Sequence, residues 1–177
     1  MHDEGGVAGF MDQARRLLAG GITLKSLGAV GSLLAGAARR PGFVPDNGMR
    51  ALHGGDSMFT VLRSDPDGLT LMLARFSPKE ETPVHDHNSW GIACVVEGAD
   101  RYRHWELGAG GDLRVLYEKE LGPGEFVTWL DPPSDIHSQQ GIGSACLELV
   151  LFGKNVMTIP RRYYNPATGE VRTALPQ

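Results

Sequence analysis

The sequence predicts an all-β sandwich or barrel with an N-terminal helical segment, and three observations carry that prediction. Apolar or alternating runs follow one another at roughly ten-residue spacing, the rhythm of short strands joined by turns. The 24 glycines and 11 prolines supply those turns. No helix-length pattern alternates with the strands, which speaks against a nucleotide-binding α/β fold.

The helical segment comes first. Over residues 10–38, Phe10, Ala14, Leu17 and Leu18 recur at helical spacing until Gly20-Gly21 stops them. Leu24, Leu27, Val30, Leu33 and Leu34 draw a second apolar stripe, ended by ARRPG. Lys25 and repeated polar breaks make this an amphipathic pair packed on the main domain, not a membrane span. From Met58 the strands are MFTVLR, LTLMLARF after the turn SDPDG, WGIACVVEG, RYRHWEL, LRVLYEKEL after GAGG, EFVTWL after GPG, and CLELVLFG. The chain therefore divides into a helical segment and lead-in loop over 1–57 and a barrel over 58–177, one compact domain overall.

Composition narrows the function. With 41% hydrophobic residues, 21% charged residues and a net charge of −4, the chain has ordinary globular values. Arg39-Arg40 and Arg161-Arg162 are isolated pairs, so no basic cluster exists to follow a phosphate backbone and nucleic acid is not an expected partner. The acidic start MHDEGG lacks the positive region of an export signal. A cytoplasmic monomer or homodimer, free of membrane, is expected. Cys94 and Cys146 lie in apolar runs and read as buried reduced thiols.

The stretch TPVHDHNSWG carries the chemistry. Side chains at i and i+2 of a strand point the same way, about 6–7 Å apart, so His85 and His87 can meet at one ion while Asp86 faces away. Two surface histidines on a loop would be the plainer reading. A third ligand must come from His2, His53, His104 or His137. His2 sits at a fraying terminus, His53 in the glycine-rich LHGGDS, and His104 among the alternating arginines of RYRHWE, a pattern expected of a solvated face. His137 follows the turn at Asp131-Pro132-Pro133, which can deliver it beside a different strand, and is preferred. The first acid after His87 is Glu97, ten residues on and too far to reach the same ion. Three neutral imidazoles leave a dication its full charge and open positions for an anionic ligand and a small molecule such as dioxygen. Zinc carrying a hydroxide is the competing occupant.

PVHDHNSWG, the histidine of DPPSDIHS and the spacing between them resemble the cupin thiol dioxygenases, the cysteine dioxygenase family, with the bacterial 3-mercaptopropionate branch the nearer match. The resemblance runs from about Phe59 to Arg162. It implies a cupin double-stranded β-helix, a mononuclear Fe(2+) on His85, His87 and His137, O2 as co-substrate and a small carboxylated thiol as substrate. Gly91 matches the place of the crosslinking cysteine of animal members, so that crosslink is excluded. LFGKNVMTIPRR is similar to a bacterial segment whose second arginine binds the substrate carboxylate, which implies Arg162; surface charge at a strand end is the alternative. The family's Ser-His-Tyr relay falls on Glu148, Val150 and Phe152, and the carboxylate-binding arginine of animal members falls on Phe59, with Arg63 nearby. Phe152 and Trp90 are expected pocket walls, although a core position suits Trp90 as well. Tyr163 or Tyr164 can stand in for the lost phenol, or pack as core aromatics.

Two activities follow. The first is an iron(II) thiol dioxygenase in which Arg162, helped by Arg63, orients the acid. The second is another three-histidine cupin oxygenase or lyase acting on a carboxylated non-thiol substrate, with an inward Glu148 as general base. A non-catalytic cupin that senses a metal or small molecule is the third possibility.

Overall fold

Two antiparallel sheets face each other, and a pair of helices covers the outer side of one of them. The structure, a computed structural model, describes residues 6–44, 46 and 58–176; His2 and His53 lie outside them. The elements run α1 (Val7–Leu18), α2 (Leu24–Ala38), β1 (Phe59–Ser64), β2 (Thr70–Phe76), β3 (Val84–His85), β4 (Gly91–Glu97), β5 (Asp100–Leu107), β6 (Leu113–Leu121), β7 (Phe126–Trp129), β8 (His137–Gly141), β9 (Cys146–Phe152), β10 (Arg161–Tyr164) and β11 (Val171–Ala174). One sheet has the order β1-β2-β9-β4-β7 and the other β11-β10-β3-β8-β5-β6. This is the expected all-β double-stranded β-helix with its helical lead-in.

The helices are placed by capping and by one close approach. Thr23 caps α2: its hydroxyl accepts from Ser26 N at 3.1 Å, while Thr23 N donates back to Ser26 Oγ at 2.9 Å. Gly31 lets α2 settle on β7, since a Cβ there would stand 2.3 Å from the Phe126 ring. Arg15 of α1 pairs with Asp65 and Asp67 in the β1–β2 turn.

Strand alternation builds two cores. Along β9, Leu147, Leu149 and Leu151 face the helices with Ile92, Cys94 and Trp90. The intervening Cys146, Val150 and Phe152 face the space between the sheets. All seven residues of β9 are therefore buried, which explains why it reads as a continuous apolar run broken by one acid.

The seven expected strands are present, and four more join them. β3, β8, β10 and β11 have the sequences VH, HSQQG, RRYY and VRTA, too short or too polar to announce themselves by apolar alternation. Among the described residues no helix is long and apolar enough to cross a membrane.

Candidate metal centre and its cavity

β3 and β8 pair so that His85 stands directly opposite His137. After His87 the chain swings away through Asn88, whose φ of 54° is left-handed. The three rings close into a triangle, with centroids 4.8 Å apart for His85–His87, 4.8 Å for His85–His137 and 4.9 Å for His87–His137. His85 Nδ1 lies 2.8 Å from the carbonyl oxygen of Pro83. Donation there puts the ring proton on Nδ1 and leaves the Nε2 lone pair free. His87 Nε2 and His137 Nε2 are 3.2 Å apart.

That separation suits a shared cation. Two nitrogens each about 2.1 Å from one ion stand about 3.0 Å apart at a right angle and about 3.4 Å apart at the tetrahedral angle. No carboxylate belongs to this group of ligand atoms. Burial, followed by the charges of neighbouring imidazoles and of Arg161, pushes His87 and His137 well below the ordinary range. Burial and Arg161 lower His85 to about 4. All three are neutral near pH 7, the form that ligates. The Nδ1 atoms of His87 and His137 are buried without a hydrogen-bond partner. These two rings are held by packing instead: Phe152 lies 4.6 Å from His87, and Trp129 lies 4.8 Å from His137.

Acidic side chains hold the backbone around the triangle. Asp86 points away from the ion site, as the alternation requires, and is fully buried. Its carboxylate accepts from Arg162 N at 2.8 Å, Arg162 Nε at 2.5 Å and the Tyr164 hydroxyl at 2.9 Å, which ties β3 to β10. Asp135 accepts from His87 N at 3.0 Å, and Asp131 from Trp90 N at 3.0 Å. The turn before His137 thus also grips the segment after His85.

The triangle forms one end of a cavity of ≈ 150 Å³, small beside pockets of about 300–1,000 Å³ that take drug-sized ligands. Apolar side chains dominate its walls, among them Phe59, Met72, Val150, Phe152 and Trp129. Thr82, Gln139, Arg161 and Tyr163 are the other polar residues facing it.

Several expected placements are corrected. Arg162 does not line the cavity; strand alternation turns it to the Asp86 side and brings Arg161 in. Arg161 has a buried, unpartnered Nε, and burial lowers its pKa. Arg63 is on the surface at the end of β1, bonded to Asp65 at 2.7 Å. Trp90 is a core residue under the helices, pressed on Gly153, and the tryptophan at the cavity is Trp129. Phe152 does line the cavity, and so does Phe59 at the place of the animal arginine. Of the two candidate phenols, Tyr163 faces the cavity, stacked on His85 at 6.1 Å, while Tyr164 serves Asp86. His104 is not solvated: the arginines of β5 take the outer face, and His104 lies buried inside, stacked on Tyr117 at 5.1 Å. It belongs to no group of converging ligand atoms. A Cβ at Gly91 would come within 2.2 Å of Trp129, so no larger residue fits there as the chain stands.

Glu148 faces inward and is fully buried, but it stands behind Gln139 and does not line the cavity. Gln139 Nε2 donates to Glu148 Oε2 at 2.8 Å and to Asp100 Oδ2 at 3.1 Å. Burial, then the charge of Asp100, holds Glu148 well above the usual carboxylate range, and burial lifts Asp100 to about 6. Folded Glu148 keeps a proton that the unfolded side chain loses near its ordinary value of 4.5, so stability falls as pH rises above that value. Glu148→Gln removes this dependence. Its urea-unfolding free energy relative to wild type is expected to climb as pH rises above the ordinary value of 4.5, with a slope of no more than about 1.4 kcal/mol per unit. Parallel curves for the two proteins would contradict a protonated Glu148. The thiols take no part: burial pushes Cys94 up to about 12 and Cys146 further still.

Arg161 and Gln139 were open to sequence analysis only through strand phase. In RRYY one arginine must face each side, and the buried Asp86 decides which. Trp129 had a signal as well, since it stands opposite Gly91 in the β4–β7 register, where the glycine leaves room for its ring.

The sequence matches no family profile. Among solved structures the chain is similar to the DMSP lyase DddQ from Ruegeria pomeroyi, with 18% identity, a TM-score of 0.45, and coverage of 58% of this chain and 49% of that one. An oxalate oxidase in complex with the substrate analogue glycolate gives 19%, 0.44, 58% and 54%. A cupin-like protein from Thermotoga maritima gives 20%, 0.42, 62% and 77%. The matched part thus spans about half the length of the lyase and oxidase chains. Likeness at this level assigns neither a family nor a reaction.

Proposed function

We propose that this protein is a non-haem iron(II) thiol dioxygenase that converts a small carboxylated thiol and O2 to a sulfinic acid. One observation supports it above the rest: three neutral imidazoles converge without a carboxylate, in a small apolar cavity that also holds an unpaired arginine. His85, His87 and His137 would hold a ferrous ion with its double charge undiminished, and it would supply thiolate affinity and the redox centre for O2. The reaction R–SH + O2 → R–SO2H puts both oxygens on sulfur and needs no external reductant.

The chain's own residues supply orientation. Arg161 forks onto the substrate carboxylate, a pairing that also relieves the cost of a half-buried cation without a counterion. Phe59, Phe152 and Trp129 exclude water from the reacting end. Tyr163, the cavity's phenol, is placed to hydrogen bond a polar group near His85. Arg162, the arginine implied by the family likeness, acts on the site only through Asp86 and the seating of β10.

The test is an oxygen-uptake assay of the Fe(2+)-loaded protein with 3-mercaptopropionate, cysteine and mercaptosuccinate, with products read by mass spectrometry. Sulfinate equal to the O2 consumed is expected from at least one thiol. Arg161→Ala should raise its KM by more than about tenfold, while Arg63→Ala leaves it alone. Absence of sulfinate from every thiol refutes the proposal.

A further inference from the structure

We propose that Gln139 is a specificity-determining residue that reads a hydrogen-bond donor on the substrate, and that the buried pair Asp100 and Glu148 fixes it for that task. The inference rests on the reading of this cavity as a carboxylate site and adds a second recognition point to it.

The geometry consumes one end of the amide. Both hydrogens of Gln139 Nε2 are directed to fully buried carboxyl groups, at 2.8 Å and 3.1 Å. Gln139 is itself 3% exposed and faces the cavity two residues after His137 on β8. Its Oε1 accepts no hydrogen bond among the described residues, yet it is not one of the sealed, unpartnered atoms. The atom offered to the cavity is therefore the carbonyl oxygen, an acceptor only. The Glu148 proton is engaged in a hydrogen bond with Asp100. Turning the amide over would aim Oε1 at carboxyl oxygens with no further proton to give and would leave both without the Nε2 donor, which locks the orientation. The main chain is held as well: Gln139 N donates to Thr82 Oγ1 at 3.0 Å, and Thr82 N donates to Gln139 O at 2.9 Å.

The cavity then presents a cation-binding triangle, a guanidinium and a fixed acceptor. A ligand matching all three is a small acid that carries an O–H or N–H besides the group at the metal. An acid without a donor leaves Oε1 dry and unpaired, a loss that selects against it. Glu148 and Asp100 act through Gln139 and are positioning residues. This gives the buried acids a purpose that a catalytic base would not need, since neither reaches the cavity.

Isothermal titration of the metal-loaded full-length protein with propanoate, 3-methoxypropanoate, 3-hydroxypropanoate and 3-aminopropanoate tests the proposal. Wild type should bind the two donor-bearing acids at least about fivefold tighter than the other two. In Gln139→Met that preference should shrink to within about twofold while propanoate binding persists. Glu148→Gln, which leaves the cavity wall untouched and frees the amide to turn, should erase the same preference, and it decides the matter if Gln139→Met does not fold. A wild type without preference, or a preference that survives in either variant, overturns the role of Gln139. Sulfinate production tests the dioxygenase reading separately. Donor preference without sulfinate sinks only that reading, whereas sulfinate without donor preference sinks only this one.

Discussion

Replacing His87 with alanine is expected to strip the candidate metal centre, taking bound metal in the metal-loaded protein from about one ion per chain to less than about a tenth of that. Among the described residues the triangle has no spare ligand. His87 supplies one of three nitrogens, and its Nε2 stands 3.2 Å from that of His137. No carboxylate in the group can take its place. Loss of even an outer hydrogen bond to a metal ligand weakens binding by about 10–100-fold, so loss of a ligand should weaken it by more than about 100-fold. His137→Ala should behave in the same way. His104→Ala provides the contrast: it removes a buried imidazole one strand away that stacks on Tyr117 and converges with no other ligand. That variant should keep its metal. Full metal content in His87→Ala, or loss of metal in His104→Ala, would show that the wrong histidines have been grouped.

The parts of this molecule that could be read in the sequence are those governed by periodicity. LTLMLARF, GIACVVE and CLELVLF are buried on both faces, and their apolar runs announce the barrel without help from tertiary structure. The HxH spacing is equally local, because i and i+2 on an extended chain share a side whatever lies around them. Choices of face in short polar strands were not legible. RRYY fits either phase, and only the buried Asp86, collecting three donors from Arg162 and Tyr164, sets the phase that brings Arg161 and Tyr163 to the cavity. Trp90 and Trp129 posed the same problem. Trp90 immediately precedes β4 and Trp129 ends β7; the helices on the outer face claim the first while the histidines claim the second. HSQQG is too polar to announce a strand, yet it is one, and its His137 and Gln139 share one side. The cavity lies where the sequence departs from a simple apolar alternation, because polar groups are placed there by their hydrogen-bond partners and not by periodicity.

Asp86→Ala should be the most damaging single change to stability, lowering the unfolding free energy of the metal-free protein by about 3–5 kcal/mol. The side chain has no exposed surface, and its removal strands the Arg162 backbone N–H and the Tyr164 hydroxyl inside the protein. The consequence reaches function through β10. That strand meets β3 over only two register pairs, Tyr163 opposite His85 and Tyr164 opposite Val84. Asp86 adds three side-chain bonds to this short seam, and the same strand carries Arg161 and Tyr163 into the cavity. Asp86→Ala is therefore expected to weaken carboxylate binding together with the fold, even though Asp86 faces away from the ligand. Arg162→Ala separates the two contributions. The Arg162 side chain is 39% exposed, so its ion pair with Asp86 is screened and its loss should cost no more than about 1 kcal/mol, while Asp86 keeps the backbone N–H and the Tyr164 hydroxyl. Urea unfolding of both variants, with carboxylate titrations beside it, measures each effect. A loss below about 1 kcal/mol in Asp86→Ala, or equal losses in the two variants, would mean that something other than this buried acid joins β3 to β10.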